Sequence, residues 1–282
     1  MTATQAKNYT LHYHINSQYL SSTERSVEVH ATPQEIRQFA EQGYLIRERL
    51  FQGAELDTLR TALDELESEE MVRSDTGGIH TMGGFGGLFI RHLMDKHVVF
   101  RDMLKFEPLL SVARAMLGPL VQIRGFSARI AYPQHPNQGT QWHIHQQVVP
   151  DPLPPFFSYP HGLDCLLYLD DISDANGPLC VLPGSHLQPH LSMPNGDFAD
   201  KPRQIEIKLL AGSVVMLHSN LWHLAKGMQA HGTKRRLVII TYTPTWLRMA
   251  PYGTKPQDGL LRDLENSGDA ETRELLGFGG YT

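Results

Sequence analysis

Apolar positions recur at helical spacing in the first part of the chain and alternate or run together in the second, with the change of period near Gly118. Thr32-Pro33-Gln34-Glu35 predicts a helix start: Thr32 is placed to cap it, Pro33 fits the first turn, and Glu35 stands three residues after the cap. Ile36, Phe39 and Ala40 share one face, and Gly43 ends the segment. Leu56, Leu59, Leu63 and Leu66 predict a second helix over residues 53–67. Phe100, Leu104, Leu109, Leu110, Val112 and Leu117 predict one or two more over residues 96–117. Residues 1–28 mix polar residues with scattered Tyr and His and read as an irregular arm, leaving residues 29–282 as one domain.

Beyond Gly118, β-branched or alternating runs occupy residues 121–132, 163–169, 178–182, 203–209, 213–217 and 234–243, separated by Pro, Gly, Asn and Asp turns. Short strands after a helical start predict a mainly β domain with flanking helices, a sandwich or barrel. Two loops interrupt this pattern. Ser74–Arg91 holds six glycines with Met82, Phe85, Leu88 and Phe89, and Pro150–His161 holds five prolines with Phe156, Phe157 and Tyr159. Both read either as surface connections or as lids over a pocket. The glycine segment lacks the Gly-Lys-Ser/Thr ending of a phosphate-binding loop.

Composition narrows the class. A chain of 282 residues, 41% hydrophobic and 20% charged, is globular and long enough for a sizeable core. A net charge of −5 argues against nucleic acid or an anionic membrane as partner. No apolar run reaches the ~18 residues of a membrane span, and the polar start carries no signal-peptide pattern. Cys165 and Cys180, both in apolar runs, are expected to be buried free thiols, as suits a reducing compartment. These features predict a cytoplasmic protein and leave its oligomeric state open.

The chemistry concentrates in Trp142-His143-Ile144-His145 and Leu221-Trp222-His223. A strand sends alternate side chains to one face, so His143 and His145 point together and His223 from a later strand can close a facial metal site. Two histidines and a carboxylate with open positions mark non-haem Fe(II) oxygenases; here all three positions are histidine.

From about residue 32 onward the chain resembles the phytanoyl-CoA dioxygenase family. The resemblance is carried by Gln141-Trp142-His143, Leu167-Tyr168-Leu169-Asp170-Asp171, Asn176-Gly177-Pro178-Leu179, Pro183-Gly184-Ser185-His186, Leu221-Trp222-His223, Arg235-Arg236 and Leu275-Leu276-Gly277, in this order. It implies a double-stranded β-helix (jelly-roll, cupin-like) core and an Fe(II)/2-oxoglutarate dioxygenase acting with dioxygen on a small organic molecule. It further implies iron ligands at His143 and His223 and an arginine for the far carboxylate of 2-oxoglutarate. Arg235 fits that role, with Arg236 as the weaker alternative, because neighbours on a strand face opposite sides. An arginine fork matches a carboxylate with two parallel hydrogen bonds.

The family's aspartate position reads His145, either a third ligand or the mark of an altered site. Three neutral imidazoles leave the metal its full charge and also suit zinc, copper or nickel. Halogenation in the family goes with a small residue at this corner, which His145 fills. Gln147, on the face of His143 and His145, is a candidate contact to substrate or cosubstrate; a hydrogen bond at the core edge is the alternative. His218 is a weaker ligand candidate, His186 reads as structural, and His135 and His231 as solvated. Trp222 reads as packing, and Asp170 and Asp171 as caps of a turn. Asp164 lies on a strand and could supply the missing carboxylate, although nothing in its spacing favours this. Arg129 reads equally as pocket-facing or as an exposed ion pair. Two other readings stay open: a three-histidine dioxygenase or hydrolase without 2-oxoglutarate, and a non-catalytic binding relative.

Overall fold

The helix signal at Thr32 is realised in full. In the computed structural model, helix α1 spans Pro33–Gln42. The Thr32 hydroxyl accepts from the Glu35 N–H, the Glu35 carboxylate accepts from the Thr32 N–H at 2.7 Å, and Gly43 closes the helix at φ 84°. The structure describes residues 8–14, 24–73, 87–133, 135, 139–145, 150–155, 162–247 and 268–276.

Helix α2 spans Gly53–Arg73, longer than its leucine pattern. Two four-residue helices, α3 (Leu93–Lys96) and α4 (Val98–Arg101), precede α5 (Glu107–Leu117). A short α6, Ala270–Leu275, packs against the strand that follows α5. Among the described residues no helix is long and apolar enough to cross a membrane.

Two antiparallel sheets face one another. The larger has the order β3 (Tyr44–Arg47), β10 (Val214–His218), β7 (Leu163–Tyr168), β12 (Arg235–Pro244), β5 (Val121–Ala131), β4 (Leu88–Arg91). The smaller has β6 (Thr140–His143), β11 (His223–Ala225), β8 (Leu179–Val181) and β9 (Ile205–Ile207). This is the double-stranded β-helix expected from the sequence.

Period-two alternation assigns each strand residue to a layer. Leu166 and Tyr168 of β7, Val215 and Leu217 of β10 and Leu237 of β12 meet Leu179, Val181 and Ile207 of the small sheet in the barrel interior. Their neighbours Cys165, Leu167, Val214, Met216, Val238 and Ile240 face the other way, into a larger core shared with the helices, where Phe39, Leu59, Leu63 and Leu109 are buried. On the outside of the small sheet, Trp142, Cys180, Trp222 and Leu224 form a third cluster. Both cysteines are buried and free.

The described parts of residues 1–28 depart from the expected irregular arm. Tyr9–His14 (β1) and Glu24–Val29 (β2) form an antiparallel ladder. Val27 and Val29 enter the helix-side core, so their alternation with polar residues marks a half-buried strand. In the glycine-rich loop, Leu88–Arg91 is the edge strand β4, and residues 74–86 lie outside the described residues. So do residues 156–161 of the proline-rich loop.

Candidate metal centre and its arginine

His143 ends β6 and His223 begins β11, and the two are direct partners in the ladder. Their ring centroids lie 4.1 Å apart. Trp142 and Leu224, one residue away on each strand, face the outer cluster, so alternation turns both imidazoles inward. A regular strand does not extend to His145: β6 stops at His143, and the His145 N–H donates to the Ser219 carbonyl at 2.8 Å just beyond it. The His145 ring nevertheless joins the pair, with centroids 5.4 Å from His143 and 5.1 Å from His223. One donor atom from each of the three lies within 4.8 Å of the others.

The same local device orients two of the rings. His143 Nδ1 donates to the carbonyl of Gln141, and His223 Nδ1 to that of Leu221, each at 2.8 Å and two residues back. A protonated Nδ1 leaves the Nε2 lone pair for a metal. Both rings are held neutral. Burial, then the His145 charge, depresses the His143 pKa to about 4, and burial with both neighbouring histidines depresses His223 well below the ordinary value. Three neutral or neutralisable imidazoles around one point fit a first-row divalent cation such as Fe(II).

Asp164 meets the triad as the partner of one histidine. It shares the inward face of β7 with Leu166 and Tyr168 and is 1% exposed. The Thr241 hydroxyl donates to its Oδ1 at 2.6 Å, and its Oδ2 lies 2.9 Å from His145 Nδ1. The imidazole N–H is not aligned with that contact, so Oδ2 has the proximity of an ion pair without a well-directed donor. Asp164 is buried while the His145 side chain remains about a third exposed, and their mutual attraction displaces His145 upward and Asp164 downward. The available signal was a lone carboxylate in the apolar run Leu163-Asp164-Cys165-Leu166-Leu167, since a buried charge requires a partner.

Arg235 lies on the inward face of β12, two residues from Leu237, and is 2% exposed. Its Nη1 donates to the carbonyls of Asn176, at 3.0 Å, and Gly177. Among the described residues no carboxylate lies within ion-pair distance of it, whereas Arg236 turns outward to Asp170 and Asp64. Arg129 shares the interior beside Arg235 and Tyr168, and burial together with the Arg235 charge lowers its pKa to about 10. Among the described residues Arg235 thus has carbonyl partners but no carboxylate, an arrangement that suits an anionic guest.

The remaining candidates separate. His218 is buried, and its Nδ1 accepts from the Asn220 N–H at 3.1 Å; it does not join the triad. His186 contacts the Ala40 carbonyl through Nε2 at 2.9 Å, a structural role. Trp222 packs outside and donates to the Leu191 carbonyl. Asp170 and Asp171 accept from the Arg236 and Ala211 N–H groups. Gln147 lies outside the described residues. On the outer face of the small sheet, a cleft of about 570 Å³ is lined by Trp142, His143, Ile144, Met193 and Trp222 among others, largely residues of the outer cluster and neither His145 nor His223.

Comparison with known proteins adds three findings. The sequence profile described as phytanoyl-CoA dioxygenase (PhyH) matches residues 39–236. An ectoine dioxygenase of Halomonas elongata is 29% identical over 153 residues, 52% of this chain and 44% of that protein; one of Bordetella parapertussis is 24% identical over 158 residues, 55% and 49%. The chain thus aligns with about half the length of these curated relatives. The fold matches HygX from Streptomyces hygroscopicus, solved with nickel and 2-oxoglutarate bound, at TM-score 0.61 and 18% identity over 81% of this chain and 94% of that one. It also matches SnoK, a non-haem α-ketoglutarate-dependent carbocyclase from nogalamycin biosynthesis, at TM-score 0.61 and 19% identity over 83% and 90%.

Proposed function

The chain belongs to the phytanoyl-CoA dioxygenase family, and from this we propose that it is an Fe(II)/2-oxoglutarate-dependent dioxygenase that hydroxylates a small organic substrate. His143, His145 and His223 would hold the iron, and Arg235 the far carboxylate of 2-oxoglutarate. The observation that carries the reading is the convergence of three imidazoles, with His143 and His223 turned inward, in a barrel whose interior also holds a buried arginine that, among the described residues, meets carbonyls and no carboxylate.

Iron held there would supply the oxidising chemistry that couples decarboxylation of 2-oxoglutarate to attack on a C–H bond. The protein's task is to bind, orient and exclude water. His143 and His223 stay neutral and present Nε2. The Arg235 fork is fixed by the Asn176 and Gly177 carbonyls before any ligand arrives, so little order is lost on binding. A 2-oxoglutarate dianion would offset the +2 charge that three neutral ligands would leave on the metal. Buried free thiols agree with the cytoplasmic setting expected from the sequence.

The test is anaerobic titration of the Fe(II)-loaded protein with 2-oxoglutarate, followed by visible absorbance, and then succinate formation in air. A charge-transfer band and succinate support the reading. A metal-replete protein that forms neither would instead be a three-histidine metalloprotein of another kind.

A further inference from the structure

We propose that Asp164 is a positioning residue of the metal centre, holding the His145 ring through Nδ1 so that Nε2 meets the metal. In doing so it returns to the site, one side chain further out, the negative charge that a histidine at position 145 does not supply. The proposal rests on the reading of His145 as a ligand.

Three observations carry it. First, the carbonyl device that orients His143 and His223 is missing at His145: among the described residues no carbonyl accepts from its Nδ1, and the atom beside it is Asp164 Oδ2 at 2.9 Å. Second, Asp164 is almost wholly buried, and a neutral hydroxyl from Thr241 is a weak return for burying a carboxylate. Its Oδ2 remains without an aligned donor; turning the His145 ring onto a metal is a way to align that N–H. Third, the Asp164 oxygens do not join the donor atoms lying within 4.8 Å of one another, so Asp164 is not itself a fourth ligand. A carboxylate on the distal nitrogen of a metal-bound imidazole fixes the tautomer and makes the ligand more basic.

Thr241 completes the arrangement. It lies on the inward face of β12, paired with Asp164 across the ladder, and its hydroxyl holds Oδ1 so that Oδ2 faces the ring. Arg124 sits where the β5–β12 register shifts and opposes the charge of His145.

The experiment is a double-mutant cycle on the full chain with Co(II) alone, using wild type, Asp164→Asn, His145→Ala and the double variant. Affinity is read by chelator competition and geometry by the visible d–d spectrum; the Fe(III)/Fe(II) potential of the iron forms is measured alongside. Asp164→Asn is expected to weaken Co(II) binding by about 10–100-fold, to alter the spectrum, and to raise the potential, because lost negative charge disfavours Fe(III). In the His145→Ala background the same change should cost no further affinity. An equal loss in both backgrounds, or unchanged affinity, spectrum and potential in Asp164→Asn, overturns the proposal. Should Asp164→Asn fail to fold, Thr241→Val tests the same link: a smaller shift in the same direction supports it, and no shift overturns it. No arm uses 2-oxoglutarate, so a protein that shows this coupling yet forms no succinate refutes the dioxygenase reading alone.

Discussion

His143 and His223 face one another directly across the β6–β11 ladder, their ring centroids 4.1 Å apart and each Nδ1 tied to the carbonyl two residues before it. Backbone geometry alone therefore sets both rings before any metal arrives. Alanine at either position should abolish metal retention and leave the fold intact, because the apolar clusters do not include these side chains. Metal analysis beside far-ultraviolet circular dichroism checks this; full occupancy in both variants would refute the ligand assignment.

The inward turn of Arg235 and the outward turn of Arg236 make a paired prediction. Arg235→Lys keeps a charge and loses the fork, so 2-oxoglutarate binding should weaken by about 1.5–3 kcal/mol with metal binding unchanged. Arg236→Lys should leave 2-oxoglutarate affinity alone, since Arg236 meets Asp170 and Asp64 on the outer side. Calorimetric titration of the metal-loaded variants separates the two.

Gly177 couples backbone strain to the same arginine. It sits at φ 72°, and a Cβ there would stand 2.2 Å from the Lys226 carbonyl oxygen and 2.8 Å from Arg235 Nη1. Gly177→Ala should cost about 1–3 kcal/mol of stability from the left-handed backbone alone, and should also weaken 2-oxoglutarate binding by moving the guanidinium. Denaturant melts and ligand titration on one preparation test both; intact affinity would show that the Asn176–Gly177 turn does not position Arg235.

Restoring an aspartate at position 145 should not by itself restore a strong site. His145→Asp would set a second carboxylate near buried Asp164, and like charges in one buried site resist joint ionisation. The single variant should lose stability and bind metal poorly. Adding Asp164→Asn should recover metal affinity by relieving that repulsion. Affinity and thermal melting of the two variants decide it, and a single variant as tight and stable as wild type would show that Asp164 does not act on this corner.

Local chemistry made much of this protein legible in its sequence. The capped start of α1, the change from helical to alternating period and the alternation of β12 follow from short-range rules, and so does the choice between Arg235 and Arg236 once one strand face is known. Spacing also brought His143 and His145 to one face, although the strand ends between them. The β1–β2 ladder escaped because its polar face hides a single buried stripe, Val27 and Val29, whose partner surface is α5. Gln147 stays an expectation.

Only the tertiary structure decided what meets across the barrel. His143 and His223 are 80 residues apart, and Asp164 reaches His145 from the opposite sheet. Alternation tells which face a side chain takes, but not which strand lies opposite it. That depends on the sheet order that buries the most apolar surface. Asp164 could therefore be named from the sequence only as a carboxylate on a strand, and its partner is His145 because β7 packs beneath the end of β6.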